Sequence, residues 1–198
     1  METRKQVIYK ILENISDVFL NQSSVTQLAL ILDCFNLNKH DLFLKQYAVC
    51  NHICYVENGL IRIYYYKEGK EVTEYFAHEG GMFFSIESYF KQIPSYLMVE
   101  ALEPTVLYAF PREALEKLCS RNIEIEHLVR KMLEGSLIIS QKRVFSLLFE
   151  SAQERYNNLL KSFPDIIRRV PSVYIASYLG ITPETLCRVK TASLKQLV

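Results

Sequence analysis

The apolar positions at the start of the chain recur with the period of a helix. Between residues 5 and 20 they are Val7, Ile8, Ile11, Leu12, Ile15, Val18 and Phe19. This spacing predicts an amphipathic helix, because side chains three and four positions apart share one helix face. Ser23 and Ser24 are suitable N-cap residues for a second helix, which we expect to run through Leu30 to Phe35.

From Asp41 onward the apolar pattern changes to short runs that are rich in β-branched and aromatic residues. These runs cover residues 41–46, 53–57, 60–66, 71–76, 96–100 and 106–110. Asn58-Gly59 and Glu68-Gly69 predict tight turns between antiparallel strands, and Gly80-Gly81 marks another break. Many short strands at close spacing are typical of a small antiparallel barrel or roll rather than a parallel sheet.

A long helical pattern follows the predicted strands. Pro111 can begin a short helix over residues 112–119, and the longer pattern runs from Asn122 to about Leu148. Its apolar residues cover most of the helix circumference: Leu128, Val129, Met132, Leu133, Leu137, Ile138 and Ile139. A helix that is apolar nearly all round has to be buried nearly all round.

One side of this long helix can pack on the roll, and the other side needs a partner. The same helix of a second copy is the simplest partner, and Gly135 and Ser136 are small enough to allow close approach. The alternative is an ordinary core helix that is buried within one chain.

The end of the chain has the outline of a DNA-binding helix-turn-helix. After a helix over residues 151–161, which Pro164 stops, an apolar-patterned helix covers Ser172 to Leu179. A turn over residues 180–182 is centred on Gly180, and a second helix begins at Pro183. Gly180 is the residue type that a turn with positive φ requires.

Charge is distributed unevenly along the 198 residues. The net charge of the whole chain is +1, but residues 140–198 hold nine Lys and Arg against four acidic residues. The remainder, with 14 basic and 18 acidic residues, has a net charge of −4. A basic C-terminal module suits a nucleic-acid partner, although a solvated basic face would have the same composition.

Three segments resemble the cyclic AMP receptor protein/FNR (Crp/Fnr) family of bacterial transcription regulators. They are residues 55–65, Glu154-Arg155-Tyr156 and residues 175–188. The order of predicted elements is also similar to that family over nearly the whole chain. The resemblance implies an α+β fold: an N-terminal antiparallel β-roll of the cyclic-nucleotide-binding type (a double-stranded β-helix), a long dimerisation helix and a C-terminal helix-turn-helix.

The domain limits that this architecture predicts are 1–120 for the effector roll, 121–149 for the dimerisation helix and 150–198 for the DNA-binding domain. The chain ends soon after the second helix, so we expect the family's wing hairpin to be reduced or absent. The resemblance implies a homodimer that binds double-stranded DNA at a pseudo-palindromic site. An activator of this type would also contact RNA polymerase.

The second helix of the predicted motif carries residues that can read bases. Thr182 can cap it, and Pro183 suits its first position. Glu184 and Arg188 lie four residues apart, so they share a helix face. A glutamate can accept a hydrogen bond from the amino group of cytosine, and an arginine can form two hydrogen bonds with guanine. The alternative for this pair is a surface salt bridge within the helix. The resemblance also puts the family's base-reading acid and arginine at these two positions, with Pro183 in place of a further arginine.

The complete predicted DNA-binding set is Ser172, Thr182, Pro183, Glu184, Thr185, Arg188, Lys190, Thr191 and Lys195. Within it, Ser172, Lys190 and Lys195 are candidates for phosphate contacts, as are Arg168 and Arg169.

The residues that hold a cyclic nucleotide in the family are poorly matched here. The family uses a Gly-Glu-Leu turn and an arginine for the phosphate, and the arginine position falls near Ser95 in this chain. No Lys or Arg occurs between Lys91 and Arg112. Because burying a phosphate without a cation is costly, the sequence predicts a regulator that does not respond to cyclic AMP.

An unknown small-molecule effector, or none, is therefore expected. A possible pocket comprises Phe83, Phe84, Glu87, Tyr89, Tyr96, Ser140 and Gln141, with Phe90 and Met98 as further apolar candidates. Ser140 and Gln141 fall where the family's base-contacting pair would lie. The aromatic residues of this set can equally be core residues.

Other kinds of site are weakly indicated. The five cysteines are scattered, so no disulfide framework is expected, and the first residues do not predict a signal peptide. Cys50, His52 and Cys54 would share one strand face, and buried thiols are favoured there over a metal site. We expect no metal, cofactor or enzymatic activity, a cytoplasmic location, and no membrane partner because apolar runs are shorter than about 20 residues.

A second hypothesis keeps the same architecture without gene regulation. It is a small-ligand-sensing dimer whose C-terminal tail is vestigial or makes protein contacts, and the short wing favours it.

Overall fold

The computed structural model describes residues 1–15 and 17–195, except for the side chains of Leu194 and Lys195. The described residues form two compact units. The first comprises Met1–Ile63 and Phe76–Leu137, and the second comprises Tyr64–Tyr75 and the chain from Ile138 onward. The predicted domain limits at 1–120, 121–149 and 150–198 stay a prediction.

The first unit holds most of the strands and the N-terminal helices. Its helices are α1 (Glu2–Glu13), α2 (Gln22–Ile31), α3 (Ile86–Lys91), α4 (Arg112–Cys119) and the first part of α5 (Ile123–Phe149). The strands are β1 (Asp33–Leu37), β2 (Leu42–Leu44), β3 (His52–Asn58), β4 (Ile61–Lys67), β5 (Lys70–Ala77), β6 (Met82–Phe83), β7 (Met98–Ala101) and β8 (Thr105–Pro111). The start of β4 (to Ile63) and the end of β5 (from Phe76) belong to this unit. The remainder of both strands and the turn between them belong to the second unit.

The described strands form two four-stranded sheets with the orders β1-β8-β3-β6 and β2-β7-β4-β5. In the first sheet β8 pairs antiparallel with both β1 and β3, so that Ala109 lies opposite Asp33 on one side and Cys54 on the other. Apolar side chains from both sheets are buried, among them Val56, Ile61 and Leu107. The predicted antiparallel roll is therefore confirmed.

Several boundaries at the N-terminus differ from the prediction. Helix α1 ends at Glu13, although the helical spacing of apolar residues continues to Phe19. Val18 is buried outside any helix, whereas Phe19 is exposed. Helix α2 begins after Asn21, whose side chain accepts from the Ser24 amide, so Asn21 rather than Ser23 or Ser24 is the N-cap.

The end of the second helix was also predicted wrongly, because residues after Leu32 pair with β8 as strand β1. Strand β6 and helix α3 lie within segments for which no element was expected. Glu68-Gly69 joins two neighbouring strands as predicted, but Asn58-Gly59 connects β3 to β4, which lie in different sheets. The turn at Asn58-Gly59 is therefore a connection between the two sheets and not a hairpin.

The helical C-terminal part agrees well with the prediction. The second unit contains the end of α5, α6 (Ala152–Ser162), α7 (Ile166–Arg169), α8 (Ser172–Leu179) and α9 (Pro183–Lys195). Helix α6 begins with a capping box, in which the Ser151 hydroxyl accepts from the Glu154 amide and the Glu154 carboxylate accepts from the Ser151 amide. These reciprocal bonds satisfy two amides that lack helical partners, which fixes the start of α6. The short helix α7 was not predicted.

Gly59 offers a test of the crossing between the two sheets. Its φ is +101°, and a Cβ placed there would lie 2.7 Å from the Pro104 carbonyl oxygen and would also overlap the Thr105 hydroxyl. Gly69 has a φ of +75° but nothing within 4 Å of the same position. We expect Gly59→Ala to lower the free energy of unfolding by about 3 kcal/mol, and the control Gly69→Ala to lower it by only about 1 kcal/mol.

Urea denaturation of both variants measures this difference. Equal losses of stability would contradict the close approach of β8 to the Gly59 turn.

Candidate functional site

The two helices of the C-terminal motif are held together by a small apolar core. Ile175 and Leu179 of α8 are buried, and so are Leu186 and Val189 of α9. Ile181, in the turn between them, is half-buried. Because the inner side of α9 is fixed, its opposite side has to face outward.

The turn between α8 and α9 has the geometry that the sequence predicts. Gly180 adopts a left-handed conformation with a φ of +65° and ends α8. The Thr182 hydroxyl accepts from the Thr185 amide at 3.2 Å, so it caps α9, which begins at Pro183. A left-handed glycine followed by a capped helix start fixes the direction in which α9 leaves the turn.

The outward side of α9 presents Glu184, Cys187, Arg188 and Thr191, all of which are exposed. They follow the i, i+3, i+4, i+7 spacing of one helix face. The Arg188 guanidinium donates to the Thr185 hydroxyl at 3.2 Å. Cys187 is an addition to the predicted set, and its spacing of three residues from Glu184 could have revealed it.

The charge state of the acidic member follows from its position at the start of α9. Hydrogen bonding to the Thr182 hydroxyl, with smaller contributions from its own backbone amide and the Arg188 charge, holds the pKa of Glu184 below its usual value. Glu184 is therefore a carboxylate at neutral pH and can only accept hydrogen bonds. This suits recognition of an amino group.

The predicted phosphate-contact residues are partly brought together. The Lys190 ammonium donates to the Ser172 hydroxyl at 2.9 Å, which joins α9 to the first residue of α8. Arg168 is exposed and pairs with Asp165, and the Arg169 guanidinium lies 5.4 Å from the centre of the Phe163 ring. The Lys195 side chain lies outside the described residues.

Two further arginines hold the end of α8. Arg143 of α5 donates to the Tyr178 carbonyl and lies over the Tyr178 ring, 4.0 Å from its centre. The Arg155 Nε donates to the Leu179 carbonyl at 2.9 Å. Carbonyls at a helix C-terminus lack helical partners, so these guanidinium groups satisfy them and complement the helix dipole. Arg155 comes from the Glu-Arg-Tyr segment that resembles the Crp/Fnr family.

The aromatic residues proposed for an effector pocket divide into separate groups. Phe83 packs with Phe43, which in turn contacts Phe35 and His52. Phe84, Tyr89 and Phe90 form another cluster with ring centres 5.3 to 6.1 Å apart. Tyr96 is exposed. Burial raises the pKa of Tyr89 to about 12, so its phenol stays neutral.

The polar members of the predicted pocket lie on the surface of their own units. Glu87 is exposed and forms an ion pair with Lys91 at 2.8 Å, one turn further along α3. Ser140 and Gln141 are exposed on α5 and belong to the second compact unit, whereas the aromatic candidates belong to the first. Their role as a pocket stays a prediction.

The position where the family would place an arginine is occupied by a buried hydroxyl network. Ser95 is buried, and its hydroxyl lies 2.9 Å from the Ser85 hydroxyl and accepts from the Leu97 amide at 3.0 Å. Ser88 donates to the Ile93 carbonyl and accepts from the Cys50 amide. These serines therefore use their hydrogen-bonding capacity on the protein itself.

The Cys50, His52 and Cys54 group does not form a metal site. Both thiols are buried, and burial raises the pKa of each, which disfavours the thiolate that would bind a metal. His52 lies among aromatic rings, and burial lowers its pKa. Within residues 1–15 and 17–195, no group of three or more His, Cys, Asp or Glu side chains could hold a metal ion. The same residues include no helix that is long and apolar enough to cross a membrane.

Comparison with known proteins gives two kinds of match. Residues 34–122 match the family of the cyclic nucleotide-binding domain. Among curated proteins, none matches the sequence.

Solved structures with the same fold span most of the chain. FixK2 from Bradyrhizobium japonicum is 21% identical, with a TM-score of 0.71, over 84% of this chain and 86% of that one. The catabolite activator protein of Thermus thermophilus is also 21% identical, with a TM-score of 0.55, over 90% and 86% of the two chains. A protein of Eubacterium rectale assigned to the crp/fnr family of transcriptional regulators is 17% identical, with a TM-score of 0.67, over 89% and 85%. Residues 34–122 thus match the domain family expected for the roll, and the predicted fold, which resembles that of Crp/Fnr regulators, is confirmed.

Proposed function

We propose that the protein is a homodimeric, sequence-specific DNA-binding transcription regulator of the Crp/Fnr type. The observation that carries this proposal is the outward face of α9. Glu184 and Arg188 are exposed there on a helix whose other side is buried and whose start is capped. A helix held in this way can enter the major groove with its N-terminal residues against base edges.

The two exposed residues offer complementary chemistry to a G·C pair. An Arg guanidinium donates two hydrogen bonds to the N7 and O6 atoms of guanine, and a carboxylate accepts from the amino group of cytosine. The Arg188 guanidinium donates a hydrogen bond to the Thr185 hydroxyl of the same helix. This contact does not favour the alternative, in which Glu184 and Arg188 form a salt bridge with each other.

The N-terminus of α8 provides the complementary backbone contact. The partial positive charge of a helix N-terminus attracts phosphate, and Lys190 adds a full charge beside the Ser172 hydroxyl. Contacts of this kind fix the register of the protein on DNA without reading sequence. We assign this role to Ser172 and Lys190.

We propose that α5 forms the dimer interface. Only Ile125 and Leu128 of this helix are buried in the single chain. Its C-terminal half exposes a series of large apolar residues: Leu137, Ile138, Ile139, Val144, Phe145, Leu147, Leu148 and Phe149. Such a surface is unfavourable in water, and nothing lies within 4 Å of the Cβ position of Gly135, which leaves room for a second helix. A pseudo-palindromic site requires two recognition helices about 34 Å apart, which a dimer can supply.

We also propose that the roll does not bind cyclic nucleotides. The buried Ser95 network occupies the place of the family's arginine, and its hydroxyls already bond to Ser85 and to backbone groups. Entry of a phosphate would break these bonds, and residues 92–111 contain no Lys or Arg that could offset the cost of burying the anion.

DNA recognition can be tested by selecting bound duplexes from a random pool and measuring affinities for the selected sequence and its single-base variants. We expect Arg188→Ala to weaken the selected duplex about tenfold and to abolish discrimination at one base pair in each half-site. Lys190→Ala should weaken all duplexes alike and reduce the slope of affinity against salt.

Each of these variants removes one positive charge, so they control for each other. Arg121→Ala removes an exposed charge between α4 and α5, in the first unit. Equal affinity of the unmodified protein for every duplex would contradict base reading.

The dimer can be tested by sedimentation of Leu137→Glu. We expect the unmodified protein to sediment as a dimer and the variant as a monomer, because a buried unpaired carboxylate costs several kcal/mol in each subunit. Ile123→Glu is the matched control, since Ile123 is also exposed on α5 but lies at its N-terminal end. A dimer that survives Leu137→Glu would contradict this interface.

Calorimetry with cyclic AMP and cyclic GMP tests the proposed loss of nucleotide binding. We expect no saturable heat for either nucleotide at concentrations up to about 1 mM, which corresponds to less than about 4 kcal/mol of binding free energy. Micromolar binding of either nucleotide would contradict the role assigned to the Ser95 network.

A further inference from the structure

The hairpin between β4 and β5 belongs to the same compact unit as the helix-turn-helix. Residues 64–75, which include the turn at Glu68-Gly69, group with the chain from Ile138 onward. Strand β5 is the edge strand of the sheet β2-β7-β4-β5. The part of β5 from Lys70 to Tyr75 therefore lies in the unit that contains α8 and α9.

Backbone groups on this edge meet one side chain of α8. In an antiparallel edge strand, every second residue directs both its N–H and its C=O away from the sheet. Residues 71 and 73 are two apart and share that direction. The Ser177 hydroxyl accepts from the Thr73 amide at 2.9 Å and donates to the Glu71 carbonyl at 3.2 Å. One hydroxyl can do both because it is a donor and an acceptor.

The next residue of α8 is held from a different element. Arg143 of α5 stacks on the Tyr178 ring and donates to the Tyr178 carbonyl. Consecutive residues at the end of α8 are thus fixed by the hairpin and by the long helix. Two attachments in different directions restrict rotation of the helix more than either attachment alone.

These contacts leave the proposed DNA-binding face accessible. Glu184, Arg188 and Ser172 are exposed while Ser177 is bonded to the hairpin. The orientation of the helix-turn-helix that Ser177 stabilises is therefore one in which α9 can be reached by DNA.

We propose that Ser177 is a positioning residue, which fixes the orientation of the helix-turn-helix on the β4–β5 hairpin and thereby favours binding to two half-sites at once. This inference rests on the proposed function as a dimeric DNA-binding regulator. Both recognition helices have to reach the DNA in one geometry, so freedom of either one costs affinity for the complete site. A single half-site imposes no such constraint.

The DNA test compares two duplexes with the full-length protein. One carries the complete selected site, and the other carries one half-site beside unrelated sequence. Loss of the two hydrogen bonds in Ser177→Ala should weaken the complete site about fivefold and the half-site less than about twofold. Ser177→Thr, which keeps the hydroxyl, should restore the ratio of the two affinities. If the ratio of complete-site affinity to half-site affinity is unchanged or higher in Ser177→Ala, the proposal is overturned.

Ser162→Ala is a matched control for the substitution. Its hydroxyl donates to the Asn158 carbonyl within α6, so its loss removes a serine hydrogen bond without touching the hairpin. This variant should keep the ratio of the unmodified protein.

A second measurement reads the Ser177 contact without DNA. Amide hydrogen exchange of the Thr73 N–H, followed by NMR, should accelerate at least about tenfold in Ser177→Ala, because its acceptor is lost, and return in Ser177→Thr. Equal exchange in all three proteins would overturn the contact. If the unmodified protein binds no duplex, the proposed function fails, while the exchange result still decides whether Ser177 holds the hairpin.

Discussion

The apolar contact between α8 and α9 is the interaction on which the proposed DNA-binding surface depends. Ile175 and Leu179 of α8 are buried, as are Leu186 and Val189 of α9, and a closely packed interior does not tolerate a rotated helix. Because one side of α9 is buried, its charged residues lie on the opposite, exposed side. The left-handed Gly180 and the Thr182 cap then set the angle at which that side is presented.

The long helix α5 imposes the second constraint. It contributes to both compact units, and its C-terminal half exposes more apolar surface than a helix in water normally does. At the same time Arg143, from this half, binds the end of α8. A partner for the apolar side of α5 would therefore also determine where α8 and α9 are held. In this way dimer formation and DNA recognition would depend on the same helix.

The sequence predicted most of the helical part and most of the strands because their signals are local. Helix α8 ends at Gly180 and α9 begins at Pro183, as turn and cap residues indicate. Strand β1 was missed because the helix that begins near Ser23 was extended to Phe35, whereas pairing with β8 makes residues 33–37 a strand. Phe19 continues the apolar period of α1 but is exposed, so periodicity alone overestimated that helix.

The candidate site was predictable where neighbouring residues in the sequence create it. The spacing of Glu184 and Arg188 placed them on one helix face and the family resemblance suggested their role, whereas Ser95 required the fold to reveal that its hydroxyl is buried against Ser85. Ser177 carried no signal at all. Its partners are backbone atoms of residues about a hundred positions earlier. Because every residue except proline has the same backbone groups, the sequence does not indicate such a contact.

The contact of Ser177 with β5 also bears on solubility. The outer edge of a sheet is a template on which the strand of another molecule can add, and repeated addition leads to fibrillar aggregates. Here the amide of Thr73 and the carbonyl of Glu71 are occupied by the serine hydroxyl. The helix that carries Ser177 therefore occupies two of the edge groups that an added strand would need.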